Sequence, residues 1–424
     1  MKHKMVAEVQ GTIVIPKENV SPRMLQRYTY IRKGFGGDVE VTRGYYEDDY
    51  YYYFGRNLNK FRKLNDSKFE YNLVEGKTID GGMKEGFALY PHQQEVEDKV
   101  LEHFKSDINC LINAPVRFGK SISLTSIITK LKRSTLILVD TTMLVEQLLS
   151  DISKYSTLDV GVLEKEGELN DVTVATFQWI NKNPERFEEV KNSFGVLAVD
   201  ECHVGIANTY MKTISSVPSR YRIAMSATPT KSASRLTEAL YDLFGEVAVE
   251  GFNPNALTAR HEFVHVNKEY YPSPYNPKAS MRKYLLSKEV GELIESLLKK
   301  HEGKTIMIVS DIKQVQTKYS DYAINSDMSK KDRKEIMDKI NDGTIKVFSG
   351  YGVMLKGVTM PRLEVIIHLF AATTRENLQQ LRGRILTPPP DGYSKDPLFI
   401  EVQTKNPSWK DCQREKWLKE LSET

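Results

Sequence analysis

The chain has 424 residues, 40% of them hydrophobic and 27% charged, with a formal net charge of +4. That length exceeds one ordinary core and predicts two or three domains, and the composition excludes a disordered or fibrous protein. No apolar stretch approaches a bilayer-spanning length and no signal-like run follows Met1-Lys2-His3-Lys4, so a cytoplasmic protein with no membrane contact is expected. Cys110, Cys202 and Cys412 are scattered without metal-ligand spacing, which argues against a zinc site, and the mild positive charge permits a polyanionic partner without demanding one.

Residues 1–84 read as a small α/β domain. Val6 to Ile15 and Asp38 to Arg43 alternate like strands. Tyr50-Tyr51-Tyr52-Tyr53-Phe54 then runs into Arg56, Lys60, Arg62, Lys63 and Lys68, before Gly81-Gly82 marks a joint. Aromatics interleaved with cations suit stacking on bases and pairing with phosphates, so Arg56, Lys60, Arg62 and Lys63 are candidate nucleic-acid contacts. A sheet face with half its rings inward is the plain alternative, and Glu47, Asp48 and Asp49 would repel a phosphate backbone.

Residues 85–252 alternate short β-branched runs with helical patterns. Strands are predicted at Ile108 to Ile112, Thr135 to Val139, Val172 to Thr176, Val196 to Val199 and Arg222 to Met225, with a helix over Thr142 to Tyr155. Such alternation predicts a parallel sheet covered on both faces. After a Pro- and Asn-rich patch it resumes in residues 253–424. Here helices are expected near Ser287 to Lys300, Lys330 to Asn341 and Arg375 to Leu381, and strands at Thr305 to Val309, Ile345 to Ser349 and Val365 to Leu369.

"NAPVRFGKS" ends the first of these strands. Gly119, Lys120 and Ser121 satisfy the close of a phosphate-binding loop, although Ala114 stands where the pattern opens with glycine. Such a loop aims backbone N–H groups at a phosphate, sends Lys120 to the β- and γ-phosphates and gives Mg²⁺ the Ser121 hydroxyl. Taken alone, the residues fit a strand–turn–helix with a surface lysine equally well. Some eighty residues on, "FGVLAVDECHVG" puts Asp200-Glu201-Cys202-His203 at a strand end. An acid there supplies the second Mg²⁺ contact, Asp200, and its neighbour Glu201 suits the base that orients an attacking water.

With the Asp-Glu-Cys-His box in place, the chain resembles a superfamily 2 helicase, a family in which the first loop glycine is often alanine. The resemblance runs over roughly residues 87 to 390. It implies two tandem RecA-like parallel-sheet motor domains behind the small N-terminal α/β domain. In "LYPHQQEVEDKVL" Gln93 would read the adenine edge and Tyr90 or Phe87 stack on its face. "LILVDTTMLVEQ" and "VTVATFQWI" resemble motifs that touch the nucleic-acid backbone, through Thr141, Thr142, Thr176 and Gln178. His203, with Ser226 and Thr228 of "MSATPTK", would couple nucleotide state to domain closure.

"VFSGYGVMLKGVTMP" resembles motif V, with Gly357 as a nucleic-acid contact, but Thr359 stands where a carboxylate is usual. "QQLRGRILTPPP" resembles motif VI: Gln380, Gly383 and Arg384 fit, while Thr387 replaces the last arginine. Arg384 is thus the expected arginine finger on the γ-phosphate and Arg382 a candidate second; both could instead be surface arginines at a helix end. Motifs V and VI look closest to phage branch-migration helicases of the UvsW type. The resemblance implies ATP and Mg²⁺ as cofactors, branched or duplex DNA as partner, a monomer, and the host cytoplasm for a phage protein. The expected activity is remodelling of forks and Holliday junctions in recombination and repair. An RNA helicase, or a nucleotide-gated binding module with weak hydrolysis, are the competing readings.

Overall fold

The computed structural model describes residues 5–33, 39–64, 67–202, 208–227, 234–254, 257–325, 327–352, 360–370, 374–389 and 393–422. The chain forms two compact units, Met1–Pro254 and Asn255–Thr424.

The first unit opens with β1 (Met5–Val9), β2 (Ile13–Pro16), α1 (Pro22–Arg27), β3 (Thr29–Lys33), β4 (Val39–Arg43), β5 (Tyr45–Glu47), β6 (Tyr51–Phe54), α2 (Leu58–Leu64) and β7 (Ser67–Tyr71). Five of the strands make a mixed sheet ordered β5-β6-β2-β1-β7, and β3 pairs with β4. The stretch expected as one strand, Val6 to Ile15, is two strands that turn at Gly11. A Cβ on Gly11 would stand 2.0 Å from the Ser215 carbonyl oxygen, so only glycine lets the turn sit there. Alternation along β1 and β2 sends Ala7, Val9, Ile13 and Ile15 to one face, where Phe54, Leu58 and Phe61 complete a buried core.

There follow α3 (Pro91–His103), β8 (Asn109–Asn113), α4 (Lys120–Leu131), β9 (Thr135–Val139), α5 (Thr142–Tyr155), β10 (Val160–Val162), β11 (Val172–Thr176), α6 (Phe177–Lys182), α7 (Pro184–Val190), β12 (Val196–Asp200), α8 (Asn208–Ser216), β13 (Tyr221–Ser226), α9 (Ser234–Phe244) and β14 (Val247–Glu250). All seven strands are parallel, in the order β10-β11-β9-β12-β13-β8-β14. Their centres are apolar on both faces, as a sheet sandwiched by helices requires. Helix α5 shows the local logic. Thr141 caps it by accepting from the Leu144 amide, and Leu144, Leu148 and Ile152 recur at four-residue spacing to bury one stripe on the sheet. Leu148→Ala would remove about 2–5 kcal/mol of that packing.

The small leading sheet is bonded to this core by polar side chains. Arg222 at the start of β13 is wholly buried and donates to the carbonyls of Gly11, Ile214 and Leu243 at 2.8, 3.0 and 3.1 Å. Burial lowers its guanidinium pKa to about 9.

The second unit contains β15 (Arg260–His265), α10 (Pro277–Leu285), α11 (Lys288–Lys300), β16 (Thr305–Val309), α12 (Lys313–Tyr319), β17 (Ala323–Ile324), α13 (Lys330–Asp342), β18 (Val347–Gly350), β19 (Leu363–His368), α14 (Arg375–Ile385), β20 (Leu398–Gln403) and α15 (Trp409–Ser422). Its six strands are also all parallel, in the order β15-β20-β19-β16-β18-β17. A buried polar chain fastens α15 to this sheet: His368 Nδ1 lies 2.6 Å from Glu401, and Arg414 Nε donates to Glu401 at 2.7 Å. Paired in this way, Glu401 keeps its pKa low despite complete burial. The architecture is two tandem RecA-like parallel-sheet units, the first carrying a small α/β sheet ahead of it. No helix among the described residues is long and apolar enough to cross a membrane.

Candidate ATPase centre and nucleic-acid contacts

Strand β8 delivers the chain into the loop 114–119, which α4 closes. Gly119 is the N-cap of α4 at φ +87, and no side chain caps that end. The Lys120 and Ser121 amides at the start of α4 are therefore presented to the site, whereas the Ile122 amide donates to the Gly119 carbonyl at 3.1 Å. A Cβ on Gly119 would also stand 2.2 Å from Gln93 Nε2. Gln93, only 3% exposed, holds the loop itself: its Nε2 donates to the Phe118 carbonyl at 3.0 Å, and its Oε1 accepts from the Tyr90 amide at 3.1 Å. Tyr90 is 64% exposed and lies parallel to His92, whereas Phe87 packs on Tyr155. Of the two aromatics considered for adenine, Tyr90 is the ring with an open face. Ala114 is buried, and its amide donates to the Ser226 carbonyl at 3.0 Å, which ties the start of the loop to the end of β13.

Lys120 Nζ lies 3.5 Å from Glu201 Oε1. Asp200 ends β12, buried, and accepts from the Glu201 amide at 2.9 Å. Glu201 adopts φ +50, a left-handed conformation disfavoured for a residue with a side chain and stabilised here by that hydrogen bond. Burial, then the neighbouring Glu201 charge, raise the Asp200 carboxyl to about 6, while Lys120 opposes the shift. A carboxylate pair desolvated beside one ammonium and an uncapped helix end suits a bound cation with a phosphate, so the residues fit Mg²⁺ and ATP. The Ser121 side chain lies against Asp151 on α5, where burial raises the Asp151 carboxyl and Ser121 opposes that rise, a neighbour that the sequence pattern did not single out. Arg117 inside the loop, at φ +66 and with its pKa lowered to about 10 by burial, was also missed.

The expected backbone contacts sit on neighbouring strands of the same sheet edge. Thr141 and Thr176 use their hydroxyls as helix caps, accepting from the Leu144 and Trp179 amides at 3.3 and 3.1 Å. Thr142 is exposed at the first position of α5. Gln178 is exposed, and its Nε2 donates to Asp140 at 3.2 Å and to the Tyr210 hydroxyl at 3.0 Å. Phe177 stacks on Tyr210 with centroids 4.2 Å apart.

The N-terminal basic cluster needs correction. Arg56 is not a nucleic-acid contact: it is fully buried and donates to Asn109 Oδ1 at 2.9 Å and to the Ser219 and Ile108 carbonyls at 2.6 and 3.2 Å. Burial, then the nearby Arg222 charge, lower its pKa. Lys60 likewise turns inward, 2.7 Å from the buried Asp242 carboxylate and over the Tyr28 ring. Arg62 and Lys63 are exposed on α2. Buried arginines are rare, so the sequence offered no signal for this inversion.

In the second unit, Gln380 and Arg384 lie on α14, with Gly383 buried between Arg382 and Arg384. Arg382 is 8% exposed, beside His261, whose own pKa falls to about 4 through burial and then that charge. Thr387 is buried and donates to the Arg384 carbonyl at 3.1 Å, closing the helix. His203, Thr228, Gly357 and Thr359 lie outside the described residues.

Residues 86–231 match the family described as type III restriction enzyme, res subunit, and residues 288–386 match the helicase conserved C-terminal domain. The chain is 24% identical to the DNA 3'-5' translocase XPB2 of Sulfurisphaera tokodaii over 404 residues, covering 82% of this chain and 89% of the relative. It is 24% identical over 347 residues to a probable helicase, D10, of Escherichia phage T5, covering 77% and 75%. Among solved structures, the DNA-bound type ISP restriction-modification enzyme LlaBIII superposes with a TM-score of 0.56 at 16% identity over 75% of this chain and 28% of that one. The helicase Lhr of Mycobacterium smegmatis gives 0.52 at 16% identity over 74% and 46%. Two consecutive family matches, the second of them a helicase C-terminal domain, backed by helicase and translocase relatives aligned along most of their own length, make this chain an ATP-dependent helicase.

Proposed function

We propose that this helicase is a DNA translocase that remodels branched duplexes, with fork regression and Holliday-junction branch migration as its reactions. The carrying observation is that the acids of the ATPase centre and the backbone contacts share one edge of one sheet. Asp200 ends β12, Thr141 and Thr142 follow β9, and Thr176 ends β11, on three adjacent parallel strands. A change at the phosphates thus has a short rigid route to the nucleic-acid grip. The name of the Sulfurisphaera tokodaii relative supports DNA as the polymer and 3'-5' polarity. The UvsW-like motifs V and VI support branched substrates.

In this reading Lys120 exchanges Glu201 for phosphate oxygens when ATP arrives, which frees the Glu201 carboxylate to accept a proton from the attacking water. Ser121 and Asp200 are the residues that would hold Mg²⁺, which when bound neutralises charge on the phosphates. Arg384, one turn after Gln380 on α14, is the residue assigned to stabilise charge on the transferring phosphoryl group; the buried Thr387 leaves that role to one arginine. Ser226 passes motion of the loop to β13 through the Ala114 hydrogen bond. The grip is mostly to phosphates and weakens with salt.

ATP hydrolysis at fixed salt, alone and with single-stranded DNA, duplex DNA, a four-way junction and RNA, tests the proposal. Strongest stimulation by the junction supports it. Stimulation by RNA alone overturns the choice of DNA, and equal stimulation by every DNA overturns the branched preference.

A further inference from the structure

A cleft of about 360 Å³ opens between the leading sheet and α8, away from the ATPase centre, with Gly44 and Gly55 on its floor. One wall carries Tyr46 and Tyr53, stacked with ring centroids 4.6 Å apart and planes within 8°. The Tyr53 hydroxyl is anchored by donating to Asp48 Oδ2 at 2.6 Å, and the stacked Tyr46 ring holds its plane before any ligand arrives. At the rim stand two exposed cations, Arg43 on β4 and Lys212 on α8. Of the nearby acids, Glu47 is paired with Lys17 at 2.7 Å, Asp48 also accepts from the Tyr50 and Tyr51 amides, and Asp242 is held by Lys60 and Tyr30.

Helix α8 links this cleft to the expected nucleic-acid grip. Tyr210 contacts Gln178 and Phe177, and Lys212, two residues on, lines the cleft. We infer that the cleft is a second nucleic-acid subsite on the first unit, in which an unpaired base extends the Tyr46–Tyr53 stack and its flanking phosphates pair with Arg43 and Lys212. Aromatic faces with adjacent cations are the chemistry that holds single strands without regard to sequence. The inference rests on the nucleic-acid motor reading above and adds a contact surface outside the motor motifs.

Fluorescence anisotropy of labelled single-stranded DNA and RNA oligonucleotides across a salt series tests it, with the full chain and its R43A/K212A variant. Loss of two phosphate contacts should weaken binding about tenfold and flatten the log–log salt slope by about 1.4. The DNA and RNA arms tell which polymer the site takes. A variant with wild-type affinity and slope overturns the subsite while the motor reading stands. A wild-type chain that binds no nucleic acid overturns both. Photo-crosslinking with 5-iodouracil oligonucleotides gives an independent readout that needs no substitution: adducts on Tyr46 or Tyr53 support the subsite, and adducts confined to other peptides overturn it.

Discussion

The Lys120 ammonium stands 3.5 Å from the Glu201 carboxylate, so the lysine proposed to bind phosphate and the acid proposed to orient water neutralise each other before nucleotide binds. The two partners should separate in their effects. Lys120→Ala should abolish both ATP binding and turnover. Glu201→Gln should keep binding and lower turnover about 10²–10⁴-fold. Equilibrium binding of a fluorescent ATP analogue beside steady-state phosphate release checks both; normal turnover in Glu201→Gln would remove it from the base role.

Gly119 combines φ +87 with a Cβ position that Gln93 Nε2 already fills. Gly119→Ala should push the Gln93 amide off the Phe118 carbonyl and misplace the loop amides. ATP affinity is expected to fall at least about tenfold, the effect of a loss near 1.4 kcal/mol. Calorimetric titration with ATP reads it directly.

Arg56 and the Arg62/Lys63 pair should exchange the phenotypes that the sequence suggests. Arg56→Ala leaves the Ser219 carbonyl and Asn109 Oδ1 without their buried guanidinium donor and should lower unfolding free energy by about 2–5 kcal/mol, as urea titration would show. Arg62→Ala with Lys63→Ala should leave stability within about 0.5 kcal/mol, since both side chains are exposed.

Asp242 sets a pH dependence of stability. Burial raises its carboxyl to about 7, although Lys60 and Tyr30 oppose the shift. Between the unfolded value of 3.8 and about 7 the folded chain keeps a proton that the unfolded chain has lost. This contribution is therefore fully present below pH 4 and is lost as the pH rises to 7. Asp242→Asn should flatten the unfolding free energy between pH 4 and 7, measured by urea titration at each pH; an unchanged slope would assign the dependence to other groups.

The two parallel sheets were legible because a strand buried on both faces needs an unbroken β-branched run. Thr135–Val139, Val172–Thr176 and Thr305–Val309 stand where that rule puts them. Edge and charge-bearing strands were not. Residues Arg260–His265 form β15 with polar side chains, and β20 carries Glu401 in its centre, where only the partners His368 and Arg414 make a buried acid tolerable. At the candidate ATPase centre the order of the motifs named Lys120, Asp200 and Glu201, which the fold brings together. Asp151 against Ser121 and Tyr210 against Gln178 were not readable, because each pairs helices whose contact exists only after the sheet has formed. The same limit applied to Arg56: composition marks a cation as solvent-seeking, and only packing shows that carbonyls surround it.

The buried guanidiniums of Arg56 and Arg222 bind the leading sheet to the starts of strands whose opposite ends carry the nucleotide machinery. Strain along β13 is shared with that sheet instead of ending at a loose hinge. The first 84 residues are thus part of the chassis and cannot be unbolted as an accessory. A chain trimmed of them would expose Ile108 and take away Lys60 and Tyr30 from the Asp242 carboxylate and the Gly11 carbonyl from Arg222. Transplanting this sheet onto a foreign motor would require carrying Gly11, Asn109, Arg222 and Asp242 along with it.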